Sequence, residues 1–182
     1  MQEWLVFIFG TLLLAYFSSA SLRHPRSHGF YRFFSWEMML GLVLLNLDTW
    51  YDATLTWDQF VSGILMSLSI FFVLMGYLSL KLYGQQSERR AEAHLLEFER
   101  TTKLVTQGIY RHIRHPMYVS LIALDGGLYF KQITWTSSSF ALVALLFLIA
   151  AVYAEEKEIV GYFGDAYRDY MNRSKRFLPF IL

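Results

Sequence analysis

The stretch FVSGILMSLSIFFVLMGYLSLKLY, residues 60–83, decides the fold class. It carries one charged side chain, Lys81, near its end. A helix needs about 20 apolar residues to cross the roughly 30 Å hydrocarbon core of a bilayer. This stretch meets that requirement with residues to spare. So does TSSSFALVALLFLIAAVYA, residues 136–154. Three shorter apolar runs cover residues 4–20, 33–47 and 117–130. Trp4, Trp36, Tyr118 and Tyr129 flank them, and such side chains settle at membrane–water interfaces. The 182-residue chain is 55% hydrophobic, above the range of an ordinary soluble domain.

The basic residues order these runs. Arg23, Arg26 and Arg32 lie between the first and second. Lys81, Arg89, Arg90, Arg100, Lys103, Arg111 and Arg114 lie between the third and fourth. Lys157, Arg168, Arg173, Lys175 and Arg176 follow the fifth. The second connection carries only Asp48, Asp52 and Asp58, and the fourth only Lys131. Under the positive-inside rule this alternation predicts five spans, with the N-terminus outside and the C-terminus cytoplasmic. The expected fold is therefore all-α: a single polytopic membrane domain of five transmembrane helices. Residues 1–83 supply three spans. Residues 84–182 supply a cytoplasmic loop, two more spans and a helical cytoplasmic tail. SSASLR offers small residues like those of a signal cleavage site. MQEW lacks a basic leader, however, so the first run reads as a retained anchor.

A net charge of +1 gives no bulk attraction for nucleic acid. The absence of cysteine removes disulfides, thiolate metal sites and cysteine nucleophiles, and no metal site is expected. SERRAEAHLLEFER, residues 87–100, reads as a short surface helix, and KLVTQGIY as an extended piece turning at Gly108. Ile159, Phe163, Ala166, Tyr167 and Tyr170 form an apolar stripe at helical spacing in a tail that continues the fifth helix. Such a stripe reads as packing against another helix or the membrane surface.

Chemistry concentrates in GIYRHIRHPMY, residues 108–118. Pro116 suits the first turn of a helix, because its missing N–H has no partner there and its φ is already set. A helix is thus expected to start at His115–Pro116. Its free N–H groups, facing the cytoplasmic boundary beside a basic turn, could hold a carboxylate or phosphate.

Arg114-His115-Pro116-x-Tyr118, then Glu155-Glu156, then Phe163-Gly164-x-x-Tyr167-x-x-Tyr170, resembles the isoprenylcysteine carboxyl methyltransferase family and the wider group of membrane phospholipid methyltransferases. The resemblance covers about residues 100–182. It implies S-adenosylmethionine as cofactor and a lipophilic acceptor entering from the bilayer. It also implies a cofactor shell of Lys103, Leu104, Val105, Gly108, Tyr110, His115, Pro116, Met117, Tyr118 and Glu155. The physical chemistry fits these roles. A carboxylate suits a helix N-terminus with His or Arg nearby. A ribose diol or an amino group suits the acceptor-only carboxylate of Glu155. Adenine suits apolar and aromatic walls, and a sulfonium favours aromatic faces. Adjacent helix residues point about 100° apart. Glu155 is therefore assigned to the cofactor, and Glu156 to a basic partner such as Arg114. Arg111 and His112 read as topology and surface charge.

The chain departs from the family at Ala151. By counting, carboxyl methyltransferases carry there an arginine that faces the acceptor carboxylate. An amine, thiol or phenol acceptor would need a general base. The candidates are His115, Glu156 and Asp125, the last on the Tyr118 face of its helix or else solvated at an outer kink. Glu37, with Arg32 as partner, reads as structural. Two other functions compete. Membrane sterol and enoyl reductases share a His-Pro-x-Tyr helix and use NADPH, but HPMY lacks their Asn. A non-enzymatic protein whose basic loop contacts anionic membrane lipid is the other.

Overall fold

The structure, a computed structural model, describes residues 2–51, 56–85 and 100–177. The expected surface helix at 87–100 lies almost wholly outside these residues, as do Asp52, Arg89 and Arg90. Among the described residues the chain is helical and contains no strand. Its seven α-helices are α1 (Gln2–Phe17), α2 (Ser19–Leu22), α3 (His28–Leu45), α4 (Trp57–Tyr83), α5 (Pro116–Tyr129), α6 (Trp135–Phe163) and α7 (Asp165–Arg173). Short 3-10 turns occupy Leu47–Tyr51 and Gly108–Arg111.

Side-chain caps fix several starts. Ser27 accepts from Phe30 N at 3.1 Å. Thr134 and Ser137 cap each other reciprocally at the start of α6, which satisfies amide groups that a helix start otherwise leaves open. α5 begins at Pro116 with His115 as its N-cap, where the proline placed it.

α1 packs on α3, α3 on α6, α6 on α5 and α5 on α4. Leu42, Leu128, Ala144, Leu148, Ala151 and Val152 form the centre of this bundle. α4 shows what kind of bundle it is. Its buried residues are mostly small: Ser62, Ser69, Gly76 and Ser79. The first three recur every seventh residue, so they share one face. Large apolar residues such as Ile70, Phe71 and Leu74 point outward. In water that pattern would be inverted. In lipid, helices associate through small residues and hydrogen bonds. Ser62 Oγ accordingly donates to Gly127 O of α5 at 2.8 Å. α4 and α6 are long and apolar enough to cross a membrane, with mean hydropathies of 2.1 and 2.2, and most of their surface faces outward.

One end of the bundle is tied by Asn46 Nδ2, which donates to Leu128 O at 2.7 Å, and by Lys131 Nζ, which donates to Gln59 Oε1 at 2.9 Å. The tail does not simply continue α6. Gly164 adopts φ 58° and ψ −132°, a conformation open essentially to glycine. The chain breaks there, and α7 folds back over the other end of the bundle.

Candidate active site

That second end holds a cavity of about 320 Å³. Its walls come from five helices and the segment before α5. α3 contributes Arg32 and Trp36, and α4 contributes Val73 and Leu80. Leu104, Val105 and Tyr110 come from the segment before α5, and Met117, Tyr118 and Leu121 from α5 itself. Glu155, Glu158, Ile159 and Phe163 come from α6, and Tyr167 and Tyr170 from α7. The lining is mainly apolar and aromatic with a few converging polar groups, the usual constitution of a small-molecule site.

His115 is the best-determined of those polar groups. It is buried, with Nδ1 2.7 Å from Glu155 Oε2 and Nε2 3.2 Å from Glu156 Oε1. Both ring nitrogens thus face carboxylate oxygens, and an imidazole can donate from both only when protonated. Burial by itself lowers the pKa of His115. The hydrogen bonds and charges of Glu155 and Glu156 outweigh it and hold the pKa above the ordinary value.

The two glutamates separate as their helical spacing requires. Glu155 lines the cavity. Glu156 turns away into an ion cluster beyond the apolar run at 136–154. It accepts from Arg114 Nε at 3.1 Å and from Arg176 Nη2 at 2.7 Å. Burial raises its pKa, but His115 and Arg176 more than reverse this and push it down to about 2. Arg114 also donates to the carbonyls of Met171 and Ser174. The chain after α7 runs beside residues 112–115. Arg114 N donates to Lys175 O at 2.7 Å and His115 N to Arg176 O at 3.2 Å. Tyr170 Oη donates to Tyr110 O, and burial pushes the Tyr170 hydroxyl up to about 12, so it stays a donor. α7 is therefore a cover latched to the turn before α5.

The sequence-derived residues divide accordingly. Leu104, Val105, Tyr110, His115, Met117, Tyr118 and Glu155 meet at the cavity. Lys103 and Gly108 are exposed and Pro116 is buried behind the wall; none of the three lines it. Gly108 instead has φ 63° and packs so closely on Ser79 that a Cβ would clash. Its place is to turn the chain into the 3-10 segment.

Several expectations need correction. Glu156, a candidate base, has its carboxylate taken up by three cationic side chains. Asp125 is buried rather than solvated and lies two helical turns from Tyr118, about 10 Å along α5; it does not line the cavity. The amides of Arg114 and His115, just ahead of α5, donate to the carbonyls of Lys175 and Arg176, so an anion at this boundary would meet the amides of Met117 and Tyr118 instead. Glu37 accepts from Thr11 Oγ1 at 2.8 Å, whereas Arg32 stacks over Trp36, 5.2 Å from the ring centroid. The tail stripe is not mere packing: Ile159, Phe163, Tyr167 and Tyr170 line the cavity, while Ala166 is exposed.

Sequence reasoning missed the α3 wall. Arg32 and Trp36 lie four residues apart on one helix face, and this spacing was the available signal. His28 Nδ1 lies 2.5 Å from Glu158 Oε2, which fastens that face to α6.

A buried histidine–carboxylate cluster and an aromatic-walled cavity at one end of an apolar helical bundle define a membrane-type small-molecule site. The sequence model of the isoprenylcysteine carboxyl methyltransferase (ICMT) family matches residues 66–161. This chain belongs to that family. Methyltransferases of the family use S-adenosylmethionine as methyl donor. Methanethiol S-methyltransferase of Crocosphaera subtropica is 24% identical over 155 residues, covering 82% of this chain and 55% of that protein. Protein-S-isoprenylcysteine O-methyltransferase of Schizosaccharomyces pombe is 30% identical over 114 residues, covering 59% and 48%. The enzyme of the same name from Tribolium castaneum is 31% identical over 91 residues, covering 48% and 32%. The chain thus spans about half the length of the first two relatives and a third of the third. These relatives are methyltransferases, and the reductase and non-enzymatic readings are not favoured.

Proposed function

We propose that this protein is an integral membrane methyltransferase that binds S-adenosylmethionine in the α5–α7 cavity and methylates a lipophilic acceptor. The supporting observation is the pairing of His115 with Glu155 on the wall of an apolar cavity roofed by α7. The residues present fit the cofactor. A volume of about 320 Å³ falls within the range of small-molecule pockets. Leu104, Val105, Tyr110 and Tyr118 offer apolar and aromatic walls to an adenine. Glu155 offers acceptor oxygens to a diol or ammonium, and His115 holds that carboxylate in place. Bound S-adenosylmethionine supplies an electrophilic methyl group on a sulfonium. The chain's own task is alignment and exclusion of water, and α7 with its latch serves both.

We infer further that a carboxylate or thiolate acceptor would meet a cationic side chain in this cavity. Arg32 brings a buried cation into the cavity from α3, which changes the argument from Ala151. No basic residue stands near Ala151 in sequence, yet the fold delivers one from another helix. Glu155 and Glu158 line the same cavity, so an amine acceptor would find carboxylates there and the acceptor assay below decides between the two.

The proposed topology is one domain of five spans, α1, α3, α4, α5 and α6, with the cavity end cytoplasmic. α1 and α5 are shorter than a full span, with Trp4 and Tyr129 near their ends, whereas Trp36 lies mid-way along α3 at the cavity.

The deciding experiment is calorimetry of the purified protein with S-adenosylhomocysteine and with NADPH. Micromolar binding of the former alone is the expected result. A folded sample that binds neither would overturn the proposal. Labelled methyl donor with a native lipid extract, a prenylcysteine and an alkyl thiol then identifies the acceptor.

A further inference from the structure

A second cleft, of about 360 Å³, adjoins the α7 cover. Thr106, Arg111, Tyr170 and Arg173 line it, and no carboxylate does. Arg111 comes from the 3-10 turn and Arg173 from the last turn of α7. Among the described residues Arg111 has no hydrogen-bond or ion-pair partner. Arg173 Nε makes a single long bond to the carbonyl of Asp169, in its own helix, at 3.3 Å. Among the described residues, two guanidinium groups from different elements therefore share a concave site that no carboxylate lines. Guanidinium forks match phosphate oxygens in geometry and charge.

The cleft is joined to the main cavity through one side chain. Tyr170 lines both, and its hydroxyl is bonded to the carbonyl of Tyr110, the residue before Arg111. An anion bridging Arg111 and Arg173 would add a third fastening between α7 and the turn, beside the Tyr170 bond and the Arg114 latch. Only Gly164 separates α7 from the apolar helix α6. In the topology proposed above the cavity end meets the bilayer surface, where each basic residue adds to the attraction for anionic lipid.

We propose that the Arg111–Arg173 cleft binds a phosphate group, from an anionic lipid headgroup or from free phosphate, and that its occupancy braces the α7 cover. The effect of the brace on cofactor affinity rests on the function proposed above; phosphate binding itself does not.

The test uses the full chain in nanodiscs of phosphatidylcholine, alone or mixed with phosphatidylglycerol, at ionic strength matched with chloride. Inorganic phosphate is titrated in parallel into the neutral nanodiscs. Thermal stability and S-adenosylhomocysteine affinity are measured for the wild type, for Arg111→Gln/Arg173→Gln and for Lys157→Gln. Lys157 is an exposed cation on α6, away from the cleft. Stabilisation by phosphatidylglycerol that the double variant loses, with roughly tenfold weaker phosphate affinity, and that Lys157→Gln keeps, is the expected result. Equal stabilisation by inorganic phosphate identifies the free ion as the source, and stabilisation by the lipid alone identifies the headgroup. No stabilisation of the wild type by either form overturns the site, as does undiminished stabilisation of the double variant. Stabilisation without tighter S-adenosylhomocysteine binding overturns the brace. If S-adenosylhomocysteine never binds, the proposed function fails while the stability measurement still judges the cleft.

Discussion

His115 Nδ1 lies 2.7 Å from Glu155 Oε2, across the junction between the N-cap of α5 and the end of α6. This contact sets the polar part of the cavity, because it fixes the carboxylate from one side while Glu156 holds the other ring nitrogen. Replacing His115 by Ala, or Glu155 by Ala, is expected to weaken S-adenosylhomocysteine binding by about tenfold or more, since each leaves a buried partner unpaired. Lys157→Gln should bind like the wild type. Calorimetry on the purified variants checks this, and equal loss in all three would mean that the cluster has no special place.

The same cluster predicts a pH window for stability. His115 has a folded pKa above its ordinary 6.5. Its contribution is complete below about 6.5 and is lost as pH rises through the folded value. Glu156 has a folded value near 2 against an ordinary 4.5. Its contribution is complete above about 4.5 and is lost as pH falls toward 2. Melting temperature should therefore be highest between about pH 4.5 and 6.5 for these two groups. His115→Gln should flatten the alkaline limb and also shrink the acid limb, because His115 and Arg176 together lower the Glu156 pKa.

Arg114→Ala removes a cation that is almost fully buried against Glu156 and that also latches the end of α7. Breaking a buried pair from one side typically costs about 3–5 kcal/mol. Arg176 still holds Glu156, so the loss should fall near the lower figure, about 3 kcal/mol. Denaturant unfolding in detergent measures it.

Gly164→Ala forces a side chain into φ 58°, ψ −132°. A strain of order 1–3 kcal/mol is expected. It acts on the hinge of the cover rather than on the bundle core. The variant should retain its helical content by circular dichroism and lose S-adenosylhomocysteine affinity. Unchanged affinity would show that α7 does not close the cavity.

The absence of cysteine makes topology directly measurable. Single cysteines at Gln107 and at Lys131 should label from opposite sides of the membrane if the five-span arrangement holds. Labelling of both from one side would overturn it.

The local rules transferred well from sequence to structure. Pro116 set the start of α5, and the long apolar runs became α4 and α6. The roughly 100° between Glu155 and Glu156 placed one at the cavity and the other with Arg114. Each is a property of one helix, so a linear chain carries it. Asp125 was harder to read. Periodicity gave its face, but whether a carboxylate two turns along a helix reaches a cavity depends on where its neighbours end.

By itself, then, the sequence determined the helices, the apolar surface, the motif at residues 114–118 and the division between two adjacent glutamates. Helical spacing and hydrophobic patterning act within a segment. The tertiary structure alone decided that α3 reaches the site with Arg32 and Trp36, that α7 reverses at Gly164 to cover it, and that Arg111 meets Arg173. Those outcomes depend on contacts between residues more than 50 positions apart in sequence. Such contacts form only when buried faces from separate helices pack together, and no spacing along one helix specifies which faces meet.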